Sequence, residues 1–419
     1  MEVLRVETHQ INKSHELFGF CDKKCFESKN LYNRVNYILR QRFIKKDKKD
    51  EPSNKFSISY SKLCKEFKKT KEYKKIGGNI GQAILKLLSQ DWKSFFKAIK
   101  DWNKNPHKYK GKPNLPGYAP SGDKGRKVMI QKSVNLRKDG KFKFPKEKVY
   151  FEPQNNDKNI KQVRIVPSHN RADRITHYNL EIVYEIEVPE PSEDANRVVG
   201  IDLGLDRLAT CANNIGVKPF AINGKPVNSM NAYFNKKRAK FMEYVGDRGT
   251  SNRIRKLTKK RNNKIKHFFH CASRYIADWC NKHNIDTVVI GKNKGWKNES
   301  NMGKVTNQNW VSIPHNMIIK QIEYKCEEYG IKVIRNEESY TSKASFLDRD
   351  DIPTYKKGND EKYEFSGRRT KRGLYKASDG TKIHADLNAG YNIIRKKLGD
   401  VFDDCKIHRH PRVINVGNS

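Results

Sequence analysis

Two aspartates far apart in the chain have the surroundings that acid chemistry needs. Asp202 lies in Val198–Thr210, VVGIDLGLDRLAT, where Val198, Val199 and Ile201 form a β-branched run that reads as a buried strand. A carboxylate inside a central strand is costly unless it is paired or holds a metal. Gly200 and Gly204 flank it and let a backbone or a ligand come close. Leu208, Ala209 and Thr210 restart an apolar run, as the second strand of a hairpin does. Asp386 opens His384–Lys396, HADLNAGYNIIRK, a helix whose Ala385, Ala389 and Ile393 share one face and suit close packing on a sheet. Each residue also has an ordinary reading: Asp202 caps a turn, and Asp386 sits in the favourable field of a helix N-terminus. Together they fit a two-metal phosphodiesterase, which gathers carboxylates from separate elements around Mg²⁺ ions about 3.5–4 Å apart.

The rest of the chain supplies elements to hold such a site. Val3–Thr8 reads as a strand. Helices follow over Ser28–Phe43, with Leu31, Val35, Ile38 and Leu39 in one stripe, over Tyr60–Lys69, and from Ile80 to Trp102. Asn105–Pro120 is too rich in proline for regular structure. Its Lys108, Tyr109, Lys110 and Lys112 interleave charge and aromatic surface, which suits nucleic acid, although a rigid linker has the same composition. From Lys127 to Pro189 the pattern turns to period two, so a small antiparallel barrel or sandwich is expected, joined by Val3–Thr8 and interrupted by the helical block. Asn231–His283 is helical and strongly basic, with Lys236, Lys237, Arg253, Arg255, Lys259, Lys260 and Arg261 as nucleic-acid candidates. Thr287–Ile290, a helix marked by Ile318, Ile322 and Cys326, and Ile331–Arg335 make a βαβ unit with parallel strands.

Charge names the partner class. The 419 residues hold 87 Lys and Arg against 47 Asp and Glu, a net +40. Residues 1–200 carry 44 basic and 24 acidic side chains and the remainder 43 and 23, so both halves are equally positive. A long polyanion contacted along the whole chain fits this spread, because each neutralised phosphate releases counterions. No apolar run reaches membrane-spanning length and MEVLRVETHQ has no signal-peptide core, which points to a cytoplasmic protein without a membrane partner. The eight cysteines form no CxxC pair and are expected as reduced thiols.

VVGIDLGLDRLAT, VVIGKNKGWK at Val288–Lys297, EESYTSKASF at Glu337–Phe346 and ADLNAGYNIIRK together resemble TnpB, the transposon-encoded RNA-guided nuclease family related to the CRISPR type V effectors. SFFKAIKDWNKNPHKYKGKPNLPGY in the N-terminal half is similar to TnpB as well. The resemblance implies an α+β multidomain protein. Residues 1–20 and 116–195 would form a β-barrel wedge domain and 21–115 a helical recognition domain. An RNase H-like RuvC nuclease domain would take 196–340 and 381–405, a target-nucleic-acid-binding insertion 341–380, and a basic tail 406–419. It further implies two Mg²⁺ ions, a guide RNA made from the transposon end, a double-stranded DNA target and a monomeric ribonucleoprotein. Asp202 matches the first RuvC carboxylate and Asp386 the third.

Two departures from the family pattern bear on activity. TnpB commonly places glutamate directly after the strand that ends here at Ile290, and this chain has Gly291. Glu337 and Glu338 end the neighbouring parallel strand, about 4.8 Å away in sheet spacing, and a glutamate can cover that shift. Glu338 resembles the relocated glutamate of a TnpB and Fanzor subgroup, with Glu337 as fallback, because strand alternation turns only one of them inward. The family's two CxxC pairs are also missing, since Ser342–Ala385 has no cysteine; a hairpin around Ser378–Gly380 is expected instead of a structural zinc. Asp348, Asp350 and Asp351 read as a solvated acidic loop. The expected activity is guided DNA cleavage beside a short flanking motif. The alternatives are a guided DNA-binding protein without cleavage and an actin-like ATPase suggested by IDLG, which lacks a second glycine-rich phosphate loop.

Overall fold

The computed structural model describes residues 1–46, 56–120, 125–132, 134, 136–144, 147–154, 159–169, 174–246, 249–293, 313–355, 362–403 and 405–417. The end of the VVIGKNKGWK stretch and most of the charged segment after Lys46 lie outside them. The chain forms two compact units, Glu2–Glu187 and Val188–Ser419, the latter joined by Met1.

The first unit runs β1 (Glu2–Ile11), α1 (Phe18–Lys46), α2 (Tyr60–Phe67), α3 (Lys71–Ile76), α4 (Gly78–Lys104), β2 (Met129–Lys132), β3 (Phe142–Lys143), β4 (Tyr150–Phe151), β5 (Asn159–His169) and β6 (Ile175–Glu187). β1 pairs antiparallel with β6 along its whole length, from Glu2 opposite Glu187 to Ile11 opposite Tyr178. The helical block is therefore inserted within the β structure, as expected. Among the described residues the pairing gives a four-stranded sheet, β1-β6-β5-β2, and a separate β3–β4 ribbon, which do not close into a ring. In α4 the four-residue spacing of Ile80, Ile84, Leu88 and Trp92 buries one stripe. The Trp92 indole donates to Asn36 Oδ1 (3.0 Å), and Asn36 donates to the Pro116 carbonyl (2.9 Å). Asn33 exchanges two hydrogen bonds with Ala119 (2.9 and 3.0 Å), so the proline-rich stretch is strapped to α1. Helix α1 begins ten residues before the expected Ser28, because buried Cys21 and Cys25 extend its apolar stripe backwards by one turn each.

The second unit runs β7 (Val198–Asp202), β8 (Arg207–Asn213), β9 (Phe220–Asn223), α5 (Lys225–Met242), α6 (Asn252–Lys282), β10 (Thr287–Gly291), α7 (His315–Glu327), β11 (Lys332–Asn336), β12 (Arg368–Lys371), β13 (Leu374–Lys376), β14 (Lys382–His384), α8 (Ala385–Leu398) and β15 (Arg412–Ile414). Its six-stranded sheet has the order β11-β10-β7-β8-β9-β15. β11, β10 and β7 are parallel, and β8 turns back antiparallel. Helices cover both faces, which is why β7 and β10 read as continuous apolar runs. Val199, Ile201, Val288 and Ile290 pack with α6 and α7, while Val198 and Val289 pack with α8. The segment expected as a basic tail, 406–419, instead supplies β15, paired parallel with β9. No helix of the described residues is long and apolar enough to cross a membrane.

Candidate active site

Strand alternation decides which face Asp202 serves. Val198 and Gly200 point toward α8 and Val199 and Ile201 away from it, so Asp202 falls on the α8 side at the C-terminal end of β7. The helix comes unusually close. A Cβ on Gly200 would strike the Gly390 carbonyl oxygen and stand 2.7 Å from Ile394 Cγ1. Burial, then the charges of Asp386 and Glu338, push the Asp202 carboxyl well above the usual carboxylate range, with Arg369 opposing.

β10 runs parallel to β7 with Ile290 opposite Ile201, which sets Gly291 level with Asp202. The space a side chain would fill at Gly291 is taken by Glu338: a Cβ there would run into Glu338 Oε2 and lie 3.2 Å from Glu338 Cβ and 2.6 Å from Ile393 Cδ1. Burial and then the Glu337 charge raise the Glu338 carboxyl to about 7, with Lys396 opposing. Its backbone N–H donates to Asn293 Oδ1 (2.9 Å), and its carbonyl accepts from the Thr341 hydroxyl (2.9 Å). Glu337 is turned the other way. It is ion-paired with Lys396, whose ammonium also donates to the carbonyls of Ser339 (2.8 Å) and Pro353 (2.9 Å).

Asp386 stands in the first turn of α8, and its N–H donates to the His384 Nδ1 cap (3.2 Å). Burial holds the His384 imidazole below its ordinary range, consistent with a neutral acceptor. Arg207 Nη1 lies 3.9 Å from Asp386 Oδ2 and Arg369 Nη2 3.7 Å from Oδ1. Two buried asparagines of the same helix hold the segment after Glu338. Asn388 donates to the Ala344 carbonyl (2.8 Å) and accepts from Phe346 N (2.9 Å). Asn392 donates to the carbonyls of Thr341 (3.0 Å) and Ala344 (2.8 Å). One helix thus carries one acid and anchors the loop that carries another. Sequence reasoning missed Arg207, Arg369, His384, Lys396 and both asparagines; only the four-residue spacing of Asn388 and Asn392 on the buried face was a readable signal.

Asp202, Glu338 and Asp386 are therefore brought to one end of β7 and β10, on the side that α8 covers. Among the described residues no three His, Cys, Asp or Glu side chains already form a closed cation-binding group. The donor chemistry nonetheless fits a hard divalent cation. All donors are oxygens, two of the acids are raised by burial and like charge, and such a set is relieved by protons or by cations.

The segment without zinc-ribbon cysteines is closed by aspartates, which corrects the expectation of a solvated acidic loop for Asp348 and Asp350. Asp348 accepts from the Ser378 N–H (3.1 Å) and hydroxyl, and Asp350 from Ser345 N (2.8 Å), Ser366 N (3.1 Å) and the Ser366 hydroxyl (2.5 Å). Backbone donors that need partners at these turns recruit the carboxylates. β12 adds a third strand to the expected hairpin, in the order β12-β13-β14, and brings Arg369 to Asp386. Replacing Asp350 by alanine is expected to cost about 2 kcal/mol, a fall in melting temperature of about 4–8 °C. Asp351→Ala, at an exposed position with no such role, should leave the melt unchanged.

The basic candidates lie elsewhere. Lys236, Lys237, Arg253, Lys259 and Lys260 are exposed on α5 and α6, and Arg255 is half-buried and donates to Asn252 (3.1 Å). Arg261 is turned inward onto Asn231 Oδ1 (2.7 and 2.8 Å). In the first unit Lys108, Lys110 and Lys112 are exposed, Lys112 lies over the Trp102 ring (5.9 Å), and Tyr109 donates to Asp101 (2.7 Å).

Residues 181–297, which include Asp202, match the OrfB_IS605 family, described as a probable transposase. Residues 315–393, which include Glu338 and Asp386, match the Cas12f1-like TNB domain. The chain is 25% identical to the TnpB-like protein ORF457 of Acidianus two-tailed virus, over 90% of this chain and 83% of that one. It is 28% identical to the CRISPR-associated endodeoxyribonuclease Cas12f1 of Sulfoacidibacillus thermotolerans, over 53% of this chain and 50% of that one. The cryo-EM structure of a Cas12f1-sgRNA-target DNA complex shares its fold, with a TM-score of 0.54 at 16% identity over 91% of this chain and 83% of that one. Two ordered family matches contain all three acids, and a TnpB-like relative is similar across nearly the full length; together these similarities support a member of the TnpB family.

Proposed function

We propose that this protein is an RNA-guided DNA endonuclease that cuts phosphodiesters at the notch formed by Asp202, Glu338 and Asp386. The observation that carries the reading is the place Glu338 occupies: it fills the space left open by Gly291, level with Asp202. The strand order, with β7 between parallel β10 and antiparallel β8 and an acid-bearing helix across one face, supports an RNase H-like nuclease of the RuvC type. The three carboxylates would hold two Mg²⁺ ions. When bound, such ions supply water activation at neutral pH and stabilise charge on the attacked phosphate and the leaving oxygen. Arg207 and Arg369 orient Asp386 and put positive charge beside the backbone to be cut. Lys396 keeps Glu337 out of the notch. Guide pairing would read the target, while the Glu2–Glu187 unit, with its inserted helices, serves a wedge and recognition role at the flanking motif. The 341–380 segment would contact target strand, and the protein would act as a monomeric ribonucleoprotein.

Sequencing the RNA that copurifies with the protein names the guide. The loaded protein is then given a supercoiled plasmid with the matched site and randomised flanks. Nicking or linearisation with Mg²⁺ is expected, abolished by EDTA and by Asp202→Ala, with RNA retention unchanged. Binding of the matched plasmid without any nicking would overturn the nuclease reading and leave a guided binding protein.

A further inference from the structure

α5 and α6 pack side by side and leave a cavity of about 320 Å³ between them. Its walls are Met230, Phe234 and Leu257, and Tyr233 stands at the mouth, 59% exposed. Lys260 and Lys264 line the rim, both exposed and without an acidic partner among the described residues. Inside, the Arg261 guanidinium is fixed by buried Asn231 and lies over the Phe234 ring at 5.4 Å. The surroundings have one sign: from Gly249 to Ala277 there are nine Lys and Arg and no Asp or Glu. This cavity is separate from the carboxylate notch, and nothing in the cleavage chemistry uses it.

We propose that the α5–α6 cavity receives an unpaired base of the bound RNA. Its volume is at the small end for a ligand pocket, which suits a single planar ring system. Flat aromatic and guanidinium faces beside lysines are what an unstacked base and its flanking phosphates require. RNA is the committed occupant because folded RNA presents bulged and looped bases permanently, whereas target DNA is exposed only while being opened. An apolar protein segment would have to bring acids for both rim lysines; the charge favours a phosphate chain. The inference rests on the reading above only in taking RNA as the resident partner.

The test uses the full chain freed of nucleic acid and an oligouridine RNA with one 5-iodouridine, with its DNA counterpart and an abasic version as controls. Photocrosslinks are expected at Tyr233 or Phe234. Tyr233→Ala should weaken RNA binding about 5- to 150-fold, the loss that corresponds to ~1–3 kcal/mol of base–aromatic stacking. Tyr233→Phe should restore it. The salt dependence of affinity should stay unchanged in Tyr233→Ala, but its slope should fall by about 0.7 in Lys264→Gln. The abasic strand should bind wild type and Tyr233→Ala alike. Unchanged affinity in Tyr233→Ala, crosslinks confined to other helices, or tighter binding of the DNA counterpart would overturn the proposal. These readouts are of binding, so loss of plasmid cleavage in any variant bears on the nuclease reading alone.

Discussion

On the proposed two-metal reading, Glu338→Ala is expected to cut matched plasmid at least ~10³-fold more slowly than wild type, because several kcal/mol of transition-state stabilisation would pass through each acid holding an ion. Placing a glutamate at position 291 in that background should return a measurable part of the rate. Gly291 is level with Asp202, and Glu338→Ala removes the carboxylate that a side chain at 291 would strike first, leaving the tip of the Ile393 side chain to give way. Gly291→Glu by itself should be damaging, since its Cβ would collide with the Glu338 carboxylate and Ile393 Cδ1. Glu337→Gln leaves the notch acids untouched and should act mainly through the lost ion pair to Lys396. Single-turnover cleavage by RNA-loaded protein measures all four. A Glu338→Ala variant that cuts at the wild-type rate would remove this residue from the mechanism.

The second large effect is structural. Gly200→Ala should cost about 3 kcal/mol, the upper range for overpacking a core, and lower the melting temperature by about 6–12 °C. The added methyl meets the Gly390 carbonyl oxygen, which is helix backbone and cannot rotate aside, as well as Ile394. Gly390→Ala, on the other side of the same contact, should be milder. Its Cβ would meet Ala212 Cβ at 3.0 Å and the Gly200 oxygen at 3.5 Å, which a small shift accommodates. Calorimetry separates the two, and equal losses would mean that the closeness of α8 to β7 is not what makes Gly200 necessary. Activity should follow stability in this pair, because a displaced α8 carries Asp386 with it.

Much of this was readable in the chain because it depends on local pattern. The β-branched runs at Val198–Ile201 and Thr287–Ile290 declared buried strands, and a helix between Thr287–Ile290 and Ile331–Arg335 required parallel neighbours. Asp386 stood where a helix pattern begins. What escaped depends on partners distant in sequence. β12 is RRTK, exposed throughout, with no alternation to betray it. β15 is three residues long and exists through its pairing with β9. Resemblance narrowed the expected second acid to two neighbouring glutamates; the Lys396 ion pair to Glu337, a partner nearly sixty residues later, is what favours Glu338 for the proposed notch. Asp348 and Asp350 looked like loose charge, since two of the serines that use them, Ser378 and Ser366, lie 30 and 16 residues downstream.

The edge strand drawn from Arg412–Ile414 gives this protein an order in time. A ribosome delivers β7 and β8 long before it delivers the last acid-bearing helix and the strand that borders β9. The Glu2–Glu187 unit, with β1 and β6 both already made, can settle while the remainder is still being translated. The sheet with the acids is not complete until Arg412–Ile414 has emerged to pair with β9. On the nuclease reading proposed above, a chain arrested before α8 would hold Asp202 without Asp386 and could not yet cut.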